Sequence, residues 1–308
     1  MTTLNTRMML AGIAMAVSAF GAQAEELRIG TASLGGAFYP VGQAAANLVN
    51  KHAPDYTMVP VVTAGGTENP RLIGNGEVDI AIGNANTSFF ASQGMPPYQD
   101  NIDIASIGTL HSSILHIVTL DGSDVTSISD LKGKRVAVGP AGGGTLNLLN
   151  DVLSVHGLSF GDITPSFLSY ADGFSQLSDG AVDASIALSG FPAGAVIQTS
   201  TTTDIAFVDI GREKLDEIID QFPYYSIVEV PAEAYGTDGP LTVLGTKNIL
   251  ITQADADEDK IYQITKAIYG NLEEFATENA NARQIVASEA YDIAVPLHPG
   301  AKRFFDEQ

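Results

Sequence analysis

The sequence predicts an α/β protein of two βαβ lobes joined by a two-strand hinge, and three observations carry that prediction. Short apolar strands alternate with helical patterns along most of the chain, the spacing of βαβ units and a largely parallel sheet. The strands run into glycine-rich or polar turns, beginning with Gly30-Thr31-Ala32-Ser33-Leu34-Gly35-Gly36-Ala37-Phe38-Tyr39-Pro40. The pattern then repeats. Arg28–Ala37 lines up with Arg135–Gly144 at an offset of 107 (135 − 28), and Gly76–Ile82 with Gly180–Ile186 at 104 (180 − 76). One such match could arise by chance between generic strand–turn–helix segments; two in register argue for two lobes on one plan.

The first residues are set apart from the fold. Arg7 supplies a positive start, Met8–Phe20 is apolar without an acidic residue, and Ala22-Gln23-Ala24 has the small-x-small pattern of a cleavage site. These are the parts of a secretory signal peptide cut after Ala24, and the apolar run is too short for a membrane anchor. A periplasmic protein is expected. The remaining 284 residues (308 − 24) suffice for two cores.

Strand Leu27–Ile29 enters the first turn, and Val41, Ala45, Leu48 and Val49 mark the helix that follows. Strand Thr57–Val62 leads to the turn Thr63–Asn69 and a short helix over Arg71–Asn75. Gly76–Gly83 reads as the third strand, ending in polar Asn84–Ser88. In the second lobe a helix over Thr145–Val155 faces the Gly142–Gly144 turn. Strand Ile163–Leu168, helical turn Gly173–Ser178 and strand Val182–Leu188 follow, and Ser189-Gly190-Phe191-Pro192 begins a helix with proline near its favoured first position. Strand Asp204–Val208 and an acidic helix Arg212–Asp220 complete the lobe. Two β-rich segments, Leu115–Leu120 and Ile227–Val230, are assigned as the crossings between lobes, with Thr242–Thr252 returning as strand. This divides the chain into a discontinuous first lobe, 25–115 plus 231–308, and a second lobe, 116–230. One long amphipathic helix then starts at Asp257-Glu258-Asp259 and carries Ile261, Ile264, Ile268, Leu272 and Phe275 on one face.

Composition narrows the function. Hydrophobic content of 45% with 17% charged residues describes a globular protein. With no cysteine, neither disulfides nor thiolate chemistry is available. The net charge of −21 becomes −22 once Arg7 is lost (−21 − 1), which argues against nucleic acid or an anionic membrane as partner. The five histidines, His52, His111, His116, His156 and His298, lack metal-ligand spacing. Gly173-Phe174-Ser175-Gln176-Leu177 lacks the second glycine of a nucleophile elbow, and no glycine turn continues into Gly-Lys-Ser/Thr. The sequence therefore calls for no catalytic residue, no metal and no cofactor.

What it offers is anion binding. A strand ending in a glycine turn at a helix start leaves backbone N–H groups unpaired, backed by the positive end of the helix dipole. Two such cradles facing each other can hold two carboxylates without lysine or arginine. The candidate ligand residues are Ser33, Gly35, Gly36, Ala37, Phe38 and Tyr39 in the first turn, with Thr63, Gly65, Gly66, Thr67, Asn69 and Asn84 from the next two. Gly143, Gly144, Thr145, Ser189, Gly190 and Tyr225 come from the second lobe. Ser33, Thr63, Thr67, Asn69 and Asn84 supply neutral hydrogen bonds; the alternative for each hydroxyl is to cap its own helix. Phe38, Tyr39 and Tyr225 form an apolar wall, or else belong to the cores. Arg71 lies near a first-lobe turn, where pairing at the surface or a helix end takes precedence over a ligand role.

The chain resembles the TAXI group of extracytoplasmic solute receptors for TRAP transporters, which have the type II periplasmic-binding-protein fold. The resemblance lies in Gly30–Gly42, Thr63–Asn69, Asp130–Gly139 and the closing Val295-Pro296-Leu297-His298-Pro299-Gly300-Ala301-Lys302, the most family-specific of the four. Leu34, Ala37 and Phe38 stand where the family usually carries polar or hydroxyl-bearing residues, and Gly143-Gly144-Thr145 where a Gly-Ser-Gly-Thr type turn is usual. The resemblance implies a monomeric receptor that captures a small organic acid, glutamate, 2-oxoglutarate or a similar dicarboxylate, and delivers it to TRAP-type permease subunits. A sensory module presenting to a receptor kinase, and the binding protein of an ATP-driven importer, are the alternatives.

Overall fold

The computed structural model describes residues 24–291 and 293–308, so the signal-peptide reading lies outside it except for Ala24. The first stretch runs β1 (Glu25–Gly30), α1 (Phe38–His52), β2 (Tyr56–Val61), α2 (Asn69–Gly74), β3 (Ile80–Asn84), α3 (Ala85–Gln93) and β4 (Ile104–Leu120). The middle comprises β5 (Arg135–Ala137), α4 (Thr145–Val155), β6 (Thr164–Ser166), α5 (Tyr170–Ser178), β7 (Ala184–Ser189), α6 (Gly194–Ser200), β8 (Ile205–Phe207), α7 (Arg212–Gln221) and β9 (Ser226–Val230). The chain closes with β10 (Leu241–Gln253), α8 (Glu258–Tyr269), α9 (Leu272–Glu278) and α10 (Pro299–Asp306).

The strands form one sheet in the order β2-β1-β3-β10-β4-β7-β5-β6, with β8 on β4 and β9 on β10. It is one motif used twice. β1 lies between β2 and β3, all parallel, with β10 antiparallel on β3. β5 lies between β6 and β7, all parallel, with β4 antiparallel on β7.

The repeat reaches atomic detail. Arg28 N donates to Asp79 Oδ2 at 2.7 Å, and Asp79 N returns a bond to Arg28 O at 3.0 Å. At the matching positions Arg135 N donates to Asp183 Oδ2 at 2.8 Å, and Asp183 N to Arg135 O at 2.8 Å. The Arg135 guanidinium adds Nη2 to Asp183 Oδ1 at 2.6 Å, holding that carboxyl below its usual range. Asp183→Ala removes these acceptors at a partly exposed site, so it is expected to cost about 1–2 kcal/mol in urea unfolding. A midpoint equal to wild type would sink the clamp as a stabilising device.

The apolar interior shows where the chain crosses. Leu110 and Leu250 pack in the core under α1 and α8, whereas Leu115 and Leu244 pack in the core under α4 and α7. The hinge strands are therefore β4 and β10, which cross at 110–115 and 244–249 as antiparallel partners. This moves the first crossing ahead of Leu115–Leu120, which already packs in the second half, and corrects the assignment of Ile227–Val230. Those residues form β9, which pairs with the first half of β10 from Val230↔Leu241 to Ser226↔Gly245. Each segment is legible as a strand, but its partner is not written locally.

Three further differences have local causes. The expected long C-terminal helix breaks at Gly270-Asn271 into α8 and α9, where Asn271 Nδ2 donates to Ala267 O at 2.9 Å and competes with the backbone ladder. Pro192 does not open a helix; α6 begins at Gly194. Polar Asn84–Ser88 is not a loop but the start of α3, with Asn86, Thr87 and Ser88 buried.

Candidate functional site

The two halves meet through their turns. Thr67 N and Glu68 N donate to Gly142 O at 3.2 and 3.0 Å, and Thr67 Oγ1 to Gly143 O at 3.3 Å. Ala37 N donates to Ser189 Oγ at 2.9 Å, and Ala195 N to Gly35 O at 3.0 Å. Oxygens of the second half thus meet N–H groups of the first-half turns, and Gly35 O in turn meets the start of α6. The expectation that each cradle stands free for a carboxylate is corrected in part: Thr67 and Glu68 N–H of the 63–69 turn and Ala37 N–H of the first turn are taken by oxygens of the other half.

Between these contacts remains a small cavity of about 10 Å³, room for about one water molecule. Gly36, Ala37, Phe38, Gly65, Gly66, Asn84 and Gly144 of the expected set line it. Ala32, Ala64, Tyr170 and Leu188, which the sequence reading passed over, complete the wall. No lining residue carries a formal charge. The backbone N–H groups of Gly36, Gly66 and Gly144 have no protein acceptor among the described residues. The wall thus offers apolar surface, unpaired amide donors, one carboxamide, Asn84, and the phenol of Tyr170.

The other expected residues lie behind or beside this wall. Thr63 Oγ1 donates to Thr31 O at 2.9 Å, and the Asn69 amide donates to Thr31 O and Ile82 O, both at 2.7 Å. They shape the turn rather than face the cavity. Tyr170, the first residue of α5 as Asn69 is of α2, plays the matching part. Its hydroxyl meets Thr145 Oγ1 at 2.7 Å and Leu188 O at 3.1 Å, and burial raises its pKa. The internal repeat is the signal that could have found it. Ser33 is buried with Oγ unpartnered. Tyr39 is half-buried and borders an outer groove of about 570 Å³ together with Gly35.

Gly190 lies against Asn281, His111 and Ala37; a Cβ there would overlap Asn281 Oδ1 and stand 2.7 Å from His111 Cδ2. Both ring nitrogens of His111 and Asn281 Oδ1 are buried without partners, and the His111 ring meets Phe38 edge-on with centroids 6.1 Å apart. Tyr225 is corrected outright. Its hydroxyl donates to Asp151 Oδ2 at 2.9 Å and its ring packs in the α4–α7 core, because the hairpin to β10 turns it away from the cavity. Arg71 is spent on Thr67 O and Pro97 O and lies over the Tyr98 ring, outside the cavity.

Residues 29–308 match the NMT1-like family. The chain belongs to that family. This NMT1-like protein also shares its fold with solved binding proteins at low identity. A candidate L-cystine ABC transporter from Listeria monocytogenes is 13% identical, with 87% of this chain and 98% of that one covered and a TM-score of 0.54. PhnD1 from Prochlorococcus marinus, in complex with methylphosphonate, is 12% identical, with 87% and 94% covered and a TM-score of 0.54. The probable amino-acid ABC transporter extracellular-binding protein ytmK from Bacillus subtilis is 15% identical, with 87% and 100% covered and a TM-score of 0.50. The fold of the NMT1-like chain is that of type II periplasmic binding proteins. Among its described residues no helix is long and apolar enough to cross a membrane, and no group of three or more metal-ligating side chains gathers.

Proposed function

We propose that this chain is an exported, monomeric solute-binding receptor that closes its two lobes on a small organic anion and hands it to a membrane importer. The observation that carries this reading is the uncharged cavity between the glycine turns, with unpaired N–H groups from both halves in its wall. Amide donors hold a carboxylate without a counter-charge, and no nucleophile–base pair stands beside them, so binding without turnover is the chemistry on offer. A volume of about 10 Å³ is too small for a dicarboxylate. The lobes must part to admit one and settle further apart around it, the hinge closure that lets a ligand select a state.

The named ABC transporter proteins of like fold support an ATP-driven importer as the partner. The TRAP reading rests on Gly30–Gly42, Thr63–Asn69, Asp130–Gly139 and Val295–Lys302, and glutamate or a 2-oxoglutarate-like acid is its ligand class. The two are separable by which permease, co-expressed in membrane vesicles, accumulates the bound acid. Receptor recovered from the extracytoplasmic fraction should begin at Glu25. Stripped by unfolding and refolding, it should melt higher in the presence of one C4 to C6 acid. At about 100 times the Kd the gain is about 2.7 kcal/mol. Shifts from neutral or cationic solutes alone would overturn the anion reading.

A further inference from the structure

One side chain in the cavity wall holds hydrogen-bonding capacity that the fold does not use. Asn84 is 2% exposed, and its Nδ2 donates to Asn248 Oδ1 at 2.8 Å. Asn248, fully buried, passes the bond on from its own Nδ2 to Ser113 Oγ at 2.9 Å. The three residues lie on β3, β10 and β4, adjacent strands at the centre of the sheet. In this sense of the chain Asn84 Oδ1 is left over. It lies between the two glycine turns, since a Cβ on Gly66 or on Gly144 would overlap it.

A carboxamide accepts on one side and donates on the other, and a serine hydroxyl can do either. Turning both amides over gives a reverse chain: Ser113 Oγ–H to Asn248 Oδ1, then Asn248 Nδ2 to Asn84 Oδ1. The number of bonds is unchanged, and Asn84 Nδ2 now faces the cleft. The chain can thus offer the ligand an acceptor or a donor at equal internal cost.

We infer that Asn84 is the charge-selecting residue of the cleft, positioned by Asn248 and Ser113, and that a carboxylate is bound with the chain in its donor sense. The inference rests on the solute-receptor reading and names its selectivity. An acceptor facing a carboxylate would leave two oxygens opposed in a water-poor space, whereas the donor sense adds a fourth N–H to those of Gly36, Gly66 and Gly144. The wall holds no lysine or arginine, and its one other polar side-chain group, the Tyr170 hydroxyl, is already bonded to Thr145 Oγ1 and the Leu188 backbone, which leaves the choice to Asn84.

The test uses three compounds of one skeleton, glutarate, its monoamide and its diamide, titrated calorimetrically into the full mature chain. Wild-type protein should rank glutarate first. Asn84→Asp fixes an acceptor in the cleft, so glutarate affinity should fall by about 100-fold or more, with the diamide changing by less than about 5-fold and the ranking reversed. Asn248→Asp accepts from both neighbours and locks Asn84 in the acceptor sense from one strand away. It should reverse the ranking too, and it covers the case in which Asn84→Asp fails to fold. In wild-type protein labelled at asparagine, the Asn84 side-chain amide signal should move when glutarate is added; a signal that stays in place overturns the inference. An unaltered ranking in a folded variant overturns it alone. Wild-type protein that binds none of the three compounds overturns the organic-anion receptor reading and the inference with it.

Discussion

Gly144→Ala is expected to lower ligand affinity by about 100-fold while leaving the ligand-free protein as stable as wild type or slightly more so. Gly144 has φ −66° and ψ −17°, a conformation alanine adopts without strain. The substitution alone restricts the unfolded chain, a gain of about 0.4–1 kcal/mol. The cost falls on closure. A Cβ here would overlap Asn84 Oδ1 and stand 3.1 Å from Asn84 Cγ, and Asn84 is pinned from behind by Asn248. Overpacking of this kind costs about 1–3 kcal/mol, and the upper end is about 100-fold in Kd. Because Gly144 and Asn84 sit on opposite halves, a ligand-free chain escapes the clash by opening, whereas closing toward this arrangement around a ligand meets it. Gly66→Ala is the control. Gly66 shares a half with Asn84, so its clash persists in either state and should lower the melting temperature as well. Calorimetric titration with thermal melts of both variants separates the two; wild-type affinity in Gly144→Ala would refute closure onto this arrangement.

Acidification from pH 7.5 to 5 is expected to remove about 4 kcal/mol of folding stability. His111 and His116 lie fully inside on β4, and burial pushes their pKa values from 6.5 down to about 3 and about 4. His116 at least keeps Tyr235 Oη at 2.5 Å, whereas His111 has no partner. A histidine with a depressed folded pKa favours the unfolded chain once that chain begins to take up protons. The full stability is present above about pH 6.5 and is lost progressively as pH falls toward the folded values. At pH 5 each residue costs about 1.5 × 1.36, or about 2 kcal/mol. Carboxylates held low, such as Asp183, engage only below the usual carboxylate range, and Asp151, raised by burial, works weakly in the opposite direction. Urea midpoints at the two pH values measure the loss, and His111→Phe should halve it. A midpoint that does not move between them would mean that water or a rearranged partner already serves these rings.

The parts of the fold legible in the sequence are those whose cause is local. Alternation of strand and helix, glycine turns at strand ends and the Arg28/Arg135 repeat all follow from neighbours in the chain, and the Thr145–Val155 helix has the bounds its apolar pattern predicts. What escaped depends on residues far apart. Nothing near Ile227–Val230 says that it will pair with Leu241–Gly245 rather than cross between halves. Nothing in Thr63–Asn69 reveals that Gly142 O will cap it from the other half. An isolated glycine is tolerated in helical patterns, so Gly270 passed unnoticed without the Asn271 side chain that makes it a break. In the site, the glycine turns pointed to six cavity residues, Gly36, Ala37, Phe38, Gly65, Gly66 and Gly144, and the polar end of β3 to Asn84. Tyr170 and Leu188 sit there because β7 and α5 bring them, which is a property of the sheet.

The split first half has a consequence for how the molecule is made. β3 ends at Asn84, and its neighbour β10 begins at Leu241, 157 residues later (241 − 84). The core beneath α1 also needs Ile261, Phe275 and Phe304 from the end of the chain. By contrast β4 to β8 find one another within residues 104–207. Contacts this distant carry a larger loop-closure cost and form late. On a chain emerging amino end first, the segment synthesised earliest must wait for the last residues before its sheet can close, and the middle of the sequence matures ahead of its beginning.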